Sequence, residues 1–206
     1  MQDSLINYKI DYGSILSGLS VSSIEDAIKI LWERLPDVWC EKYNEMTLTE
    51  TNILQFTDNG FEYLFDFSSE LVAKGVVPRN QASENRVVVV FGRSQPSHKK
   101  RDKNRMKGFL GPSSKVFGDN YDKGHFIGHA FGGGLEVNLF PQLRGINQGL
   151  SARGKVFQSM EKYCSDNAET FCFNRPIYCN LSWRPRMIEF GILTEEMNFW
   201  VEIFEN

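Results

Sequence analysis

Five consecutive apolar residues, Val87 to Phe91, four of them valine, constrain this chain more than any other stretch. The run is short, β-branched and bounded by turn formers, Asn85-Arg86 before it and Gly92-Arg93-Ser94 after it. It reads as a buried strand. A buried strand needs neighbours, and the second half of the chain offers them. FCFNRPIYCNLSW (171–183) reads as a hairpin, and MIEFGILT (187–194) and MNFWVEIFEN (197–206) read as further strands. The expected class is therefore α+β, an antiparallel sheet with few helices.

The first half differs in charge. Residues 1–85 hold six Lys and Arg against fourteen Asp and Glu, a net of −8, while residues 86–206 carry a net of +5. Such asymmetry suggests two parts with different partners, an acidic N-terminal region over 1–80 and a basic domain over 86–206. In the acidic part, Ser22-Ser23-Ile24-Glu25 matches a capping box. Ile24, Ala27, Ile28, Leu31 and Leu35 recur at helical spacing, and Pro36 is expected to stop the helix. MTLTETNILQF (46–56) alternates weakly, as a strand would. GFEYLFDFSSELVAKG (60–75) is aromatic-rich, with a second half that reads as a helix ending at Gly75. KGVVPRNQASEN (74–85) has the composition of a loop.

No apolar run approaches the ~20 residues of a membrane span. MQDSLINYKIDYG lacks the basic start and apolar core of a signal peptide. The expected location is the cytoplasm, or export as an effector without a classical signal, and no membrane partner is expected. The four cysteines form no C-x-x-C pair, so a zinc knuckle is not expected. They read as free thiols, with a Cys172–Cys179 bridge across a hairpin as the alternative. No phosphate-binding glycine loop, serine nucleophile elbow or kinase signature is present.

Chemistry concentrates between Tyr121 and Tyr163. This stretch holds His125 and His129, the turn Gly132-Gly133-Gly134, Asn138 and Asn147, and Glu161 beside an apolar stripe of Phe157, Met160 and Cys164. Phosphodiester hydrolysis needs a base that works near neutral pH, which an ordinary histidine supplies. It also needs countercharge on the phosphoryl oxygens, which a divalent cation supplies. Magnesium favours oxygen ligands and keeps several waters, so one amide and one carboxylate form a sufficient protein cage. Just upstream, Lys99, Lys100, Arg101, Lys103, Arg105 and Lys107 face only Asp102, a cluster suited to phosphates. Arg153 adds a cation inside the stretch.

Asp122-Lys-Gly-His125, then Asn138-Leu-Phe-Pro-Gln142, then Asn147-Gln-Gly149, then Phe157-x-x-Met-Glu161 resembles the DNA/RNA non-specific endonuclease family of His-Me finger (ββα-metal) nucleases, in the form found in bacterial polymorphic toxins. The resemblance covers about Val87 to Cys164. It implies a ββα-metal core on the antiparallel sheet and a Mg²⁺ cofactor, with Mn²⁺ as its substitute. The substrate would be DNA and RNA, cut without strong sequence preference. It makes His125 the general base, Asn147 the metal-binding amide and Glu161 the carboxylate that holds metal-bound water or the base network. It asks for an upstream arginine to counter phosphate charge, for which Arg93, Arg101 and Arg105 are the candidates and Arg93 is favoured. A toxin or defence role, with an inhibitor or immunity protein as partner, is the corresponding biology. Lys123 stands where the family has arginine, which keeps charge but loses the bidentate fork. The interval from Asn147 to Glu161 is longer than the compact family spacing. These departures motivate an alternative, a catalytically impaired nucleic-acid-binding or protein-interaction module on the same fold. His129 is expected to be a supporting residue, and Asn138 and Gln142 structural ones. The acidic N-terminal part is expected to dock or to mask the basic groove.

Overall fold

The computed structural model describes residues 8–18, 21–97 and 116–206. Its backbone is a six-stranded antiparallel sheet: β1 (Ile53–Asp58), β2 (Phe61–Asp66), β3 (Arg86–Arg93), β6 (Phe171–Ile177), β7 (Met187–Leu193) and β8 (Phe199–Glu205), in that order. A separate two-stranded antiparallel ribbon, β4 (Tyr121–His125) with β5 (Leu139–Leu143), lies in the chain between β3 and β6. The helices are α1 (Tyr12–Ser17), α2 (Ile24–Thr47), α3 (Ser68–Ala73), α4 (Arg144–Asn147) and α5 (Ala152–Asp166). None of the described helices is long and apolar enough to cross a membrane.

The sheet is covered on both faces, which is why the valine run is continuously apolar. On one face α1 and α2 bury Tyr12, Leu31, Leu35 and Trp39 against Val88, Val89, Phe91, Phe171 and Phe173. On the other, the ribbon and α5 bury Phe126, Ile127, Phe131, Phe157 and Met160 against Val87, Val90, Phe190 and Ile192. Val88 and Val89 share a face because the β2–β3 register slips opposite Leu64/Phe65. That bulge inverts the facing of every later residue of β3.

α2 does not stop at Pro36. It runs from Ile24 to Thr47 with the proline inside. Proline in a helix interior costs about 3 kcal/mol. The turns beyond it bury Trp39 and Tyr43, each large aromatic contributing on the order of 1.5–3 kcal/mol or more, so packing wins. The cap also sits one residue later than Ser22-x-x-Glu25 suggests. Ser23 Oγ accepts from the Asp26 backbone N–H at 3.1 Å, and the Asp26 carboxylate accepts from both Ser22 and Ser23 hydroxyls at 2.9 and 2.8 Å.

The boundary expected between 1–80 and 86–206 falls within one continuous sheet, since β1 and β2 are hydrogen-bonded to β3. α2 lies on the face of the sheet away from the ribbon, while Asp58 and Asn59 of the acidic part reach Gly134 and the basic segment lies outside the described residues. FCFNRPIYCNLSW is not a hairpin. Its first seven residues form β6, and β7 supplies the partner strand, with Pro176 opposite Ile188. Cys172 lies within β6 and Cys179 two residues beyond its end, and the two are not bridged. All four cysteines are free, Cys164 and Cys172 buried and Cys179 exposed.

Candidate active site

His125 ends β4, paired with Leu139 of β5, and is buried. A long connection then runs from Phe126 to Asn138, and one side chain holds it shut. Asn138 Oδ1 accepts from Ile127 N at 2.9 Å, while Nδ2 donates to Ile127 O at 2.8 Å and to Gly134 O at 2.9 Å. The Asn138 backbone carbonyl also accepts from Phe126 N at 2.9 Å. Gly133 passes so close to the Ile127 carbonyl that a Cβ there would lie 1.8 Å from its oxygen, which explains a glycine in that turn. Phe126 stacks on Phe140 at 4.3 Å, and Asn174 of β6 donates to Phe126 O at 2.7 Å, tying the ribbon to the sheet. His125 is thus fixed on its C-terminal side.

On its N-terminal side, Asp122 is the anchor. Its carboxylate accepts from Arg144 Nε at 3.2 Å, from Gln148 Nε2 at 2.7 Å and from Asn147 Nδ2 at 3.3 Å. The amide nitrogen of Asn147 is spent on Asp122, and its Oδ1 accepts no hydrogen bond among the described residues. In the sequence Asp122 stands out only as part of a motif, with no role of its own. The signal was the chain of donors on the turn after β5, Arg144, Asn147 and Gln148. Asn147 is the last residue of α4, and α5 begins only after Ser151, whose Oγ accepts from Gly154 N at 2.9 Å. The turn between α4 and α5 accounts for the long interval to Glu161.

α5 buries Gly154, Phe157, Met160 and Cys164, and Glu161 stands at the margin of that stripe. Its carboxylate lies against Gly128: a Cβ built there would be 2.7 Å from Glu161 Oε1. Asn147 therefore reaches β4 three residues before His125, and Glu161 reaches the chain three residues after it.

Arg93 is not brought to this place. The bulge in β3 turns it to the helical face, where it forms a bidentate pair with Glu25 of α2, Nη2 to Oε2 at 2.6 Å and Nη1 to Oε1 at 3.1 Å, with Glu169 at 3.7 Å. That hydrogen bonding holds the Glu25 carboxyl below its ordinary pKa. Arg153 is held against β8, donating to Ile203 O at 2.7 Å and pairing with Glu202 at 2.9 Å, with its guanidinium over the Phe204 ring. Lys99, Lys100, Arg101 and Lys103 lie outside the described residues, as do Arg105 and Lys107. His129 approaches Ser97 Oγ at 3.4 Å. Gln142 is buried against Gly124, a structural placement. Lys123 shares the ribbon face of His125 by strand alternation, and burial lowers the pKa of its ammonium.

No group of three His, Cys, Asp or Glu side chains suited to a metal occurs among the described residues. Oxygen donors such as the Asn147 amide and the Glu161 carboxylate are of the chemical type that suits a hard, partly hydrated divalent cation. No family model and no curated protein matches the chain. Among solved structures, that of Sda1 nuclease with bound zinc ion is similar at a TM-score of 0.37 and 14% identity, over 75% of this chain and 75% of that chain.

Proposed function

We propose that the chain is a metal-dependent endonuclease of the His-Me finger kind, hydrolysing phosphodiester bonds in DNA and RNA, with its centre on the β4–β5–α4–α5 unit. The observation that carries this reading is the Asp122 anchor. It ties Asn147, through its amide nitrogen, to β4, the strand that ends in His125. Asn147 Oδ1 would hold a divalent cation, with Glu161 orienting water on it. When bound, such a cation counters charge on the phosphoryl oxygens and on the leaving oxygen.

His125 takes a proton from the attacking water. The water oxygen bonds to phosphorus as the bond from phosphorus to the leaving sugar oxygen breaks. Asn138 keeps the residues after His125 from moving, so the imidazole meets the water in one orientation. Lys123, on the same ribbon face, places positive charge beside the substrate phosphate. Arg93, spent on Glu25, has no part in this.

Supercoiled plasmid incubated with the protein tests the reading. Degradation is expected with Mg²⁺ or Mn²⁺ and none with EDTA. Asn147→Ala is expected to shift the metal requirement to at least tenfold higher concentration, while Asn147→Asp retains cleavage. Metal-independent cleavage, or an unchanged metal requirement in Asn147→Ala, would contradict it. A second reading, a module that binds without cutting, is favoured by the diversion of Arg93. Salt-sensitive binding with no cleavage under any divalent ion would establish that instead.

A further inference from the structure

A cavity of about 650 Å³ opens at the end of the ribbon opposite His125. Tyr121 of β4 forms one wall, the loop 178–186 another, and the end of β8 the third. We infer that this cavity is a subsite for an unpaired nucleotide of the substrate strand, flanking the scissile phosphate. The inference rests on the nuclease reading and gives its substrate class, single-stranded or locally opened nucleic acid.

Three observations carry it. Tyr121, Lys123 and His125 alternate along β4 and so share one face. A strand lying on that face runs from the imidazole past the Lys123 ammonium to the cavity, a span of about 14 Å at the rise of a β-strand. Next, the Arg184 guanidinium lies over the Tyr121 ring at 4.5 Å from its centroid. A planar cation stacked on an aromatic ring offers a further flat surface to a base and a charge to a phosphate, the combination by which single strands are held. Arg186 adds a second exposed cation to the lining, against one carboxylate, Glu205.

The third observation is that the cavity is built in advance. Arg86 donates through Nη1 to Asn180 O at 2.7 Å and Ser182 O at 3.0 Å. Glu84 accepts from Trp183 N at 2.8 Å. Asn206 donates to Pro185 O at 3.0 Å and to Pro141 O at 2.8 Å, and accepts from Leu143 N at 2.8 Å, so it joins loop, β8 and ribbon. Preformed walls lower the ordering cost of binding. The volume is in the range that accommodates a compact ligand, about 300–1,000 Å³. A base paired in a duplex cannot enter it without leaving its stack.

Fluorescence anisotropy with a fluorescein-labelled 12-nucleotide oligothymidylate, in EDTA so that nothing is cut, tests this on the full chain. Arg184→Ala is expected to weaken binding at least fivefold and to reduce the slope of log affinity against log salt by about 0.7, one single-strand phosphate contact. Tyr121→Ala is expected to weaken it severalfold with the salt slope unchanged. A 12-base-pair duplex is expected to show neither Tyr121 nor Arg184 sensitivity. Wild-type affinity for oligothymidylate in both variants, or equal losses on the duplex, would overturn the subsite. Thermal melting of each variant identifies any that failed to fold, and Arg184→Lys, expected to keep the salt slope while losing the stacking share, is the further check. Plasmid cleavage by the wild type reports separately on the nuclease reading. Oligonucleotide binding that depends on Arg184 without any cleavage would sink that reading and leave the subsite standing.

Discussion

On the helical face of the sheet, buried polar side chains close on one another. Tyr12 donates to Glu189 at 2.6 Å, Trp39 donates to Tyr12 at 3.0 Å, and Arg175 pairs with Glu189 at 2.6 Å. Nearby, Arg86 donates to the Tyr43 hydroxyl, which donates to Asp66 at 2.7 Å. Burial and the Glu189 charge push the Tyr12 phenol well above its ordinary pKa, so it stays a neutral donor. On the ribbon side, Asp122 gathers three donors, and the Asn147 oxygen accepts no hydrogen bond among the described residues. The helical face uses its polar groups to hold the fold. The ribbon face uses some of them to present others. Under the proposed function, stability and chemistry fall on opposite sides of one sheet, and variants should separate them.

The largest stability loss is expected from Trp39→Ala, about 3–5 kcal/mol by the usual cost of truncating a buried large aromatic. Cleavage per folded molecule should stay within twofold of wild type, checked by denaturant unfolding and by activity at low temperature. Glu189→Ala strands the buried Arg175 and is expected to cost a comparable amount, about 3–5 kcal/mol, again without specific loss of activity. A fall in activity beyond the unfolded fraction in either variant would break the separation of the faces.

Asn138→Ala sharpens the comparison from the other side. It leaves the Ile127 N–H and C=O without their side-chain partners, at about 1–3 kcal/mol for each buried group. It should also lower cleavage at least tenfold at temperatures where the protein is folded, because the chain after His125 loosens. Stability lost with full activity would show that the clamp does not position the histidine.

The smallest effects belong to the start of α2. Ser23→Ala removes the cap and should cost about 1 kcal/mol. Asp26 has its pKa lowered by the hydroxyls of Ser23 and Ser22, and Glu25 has its own lowered by Arg93. Carboxylates depressed in the folded state contribute stability above their unfolded pKa and lose it as pH falls through the folded value. The melting temperature should therefore decline below the ordinary carboxylate range, and less steeply in Asp26→Asn, as a pH series of thermal melts would register.

Much of this was legible in the residues. The valine run, the strands near 187–205, the weak alternation leading into β1 and the turn residues around Asn138 follow from composition and period, whereas β2 at Phe61–Asp66 carries no such mark. α2 ran past Pro36 because the apolar face resumes at Trp39 and Tyr43, and tertiary burial outweighed one lost hydrogen bond. Arg93 was misplaced for a different reason. In a run of four valines nothing marks a one-residue bulge, yet that bulge decides which face Arg93 takes. The anchoring by Asp122 was hidden because its three partners come more than twenty residues after it. Only the pairing of β4 with β5 brings them back. The Tyr121–Arg184 contact joins the ribbon to a loop some sixty residues later and had no local signal.

The nuclease reading depends above all on His125 serving as the base of a centre on the ribbon. Replacing it by glycine and measuring plasmid cleavage in Mg²⁺, with and without added imidazole, puts that role to the test. The expected result is a loss of about 10²–10⁴-fold, an unchanged melting profile, and partial recovery with imidazole that rises as its neutral form increases with pH. Cleavage by His125→Gly at the wild-type rate, with no response to imidazole, would contradict it.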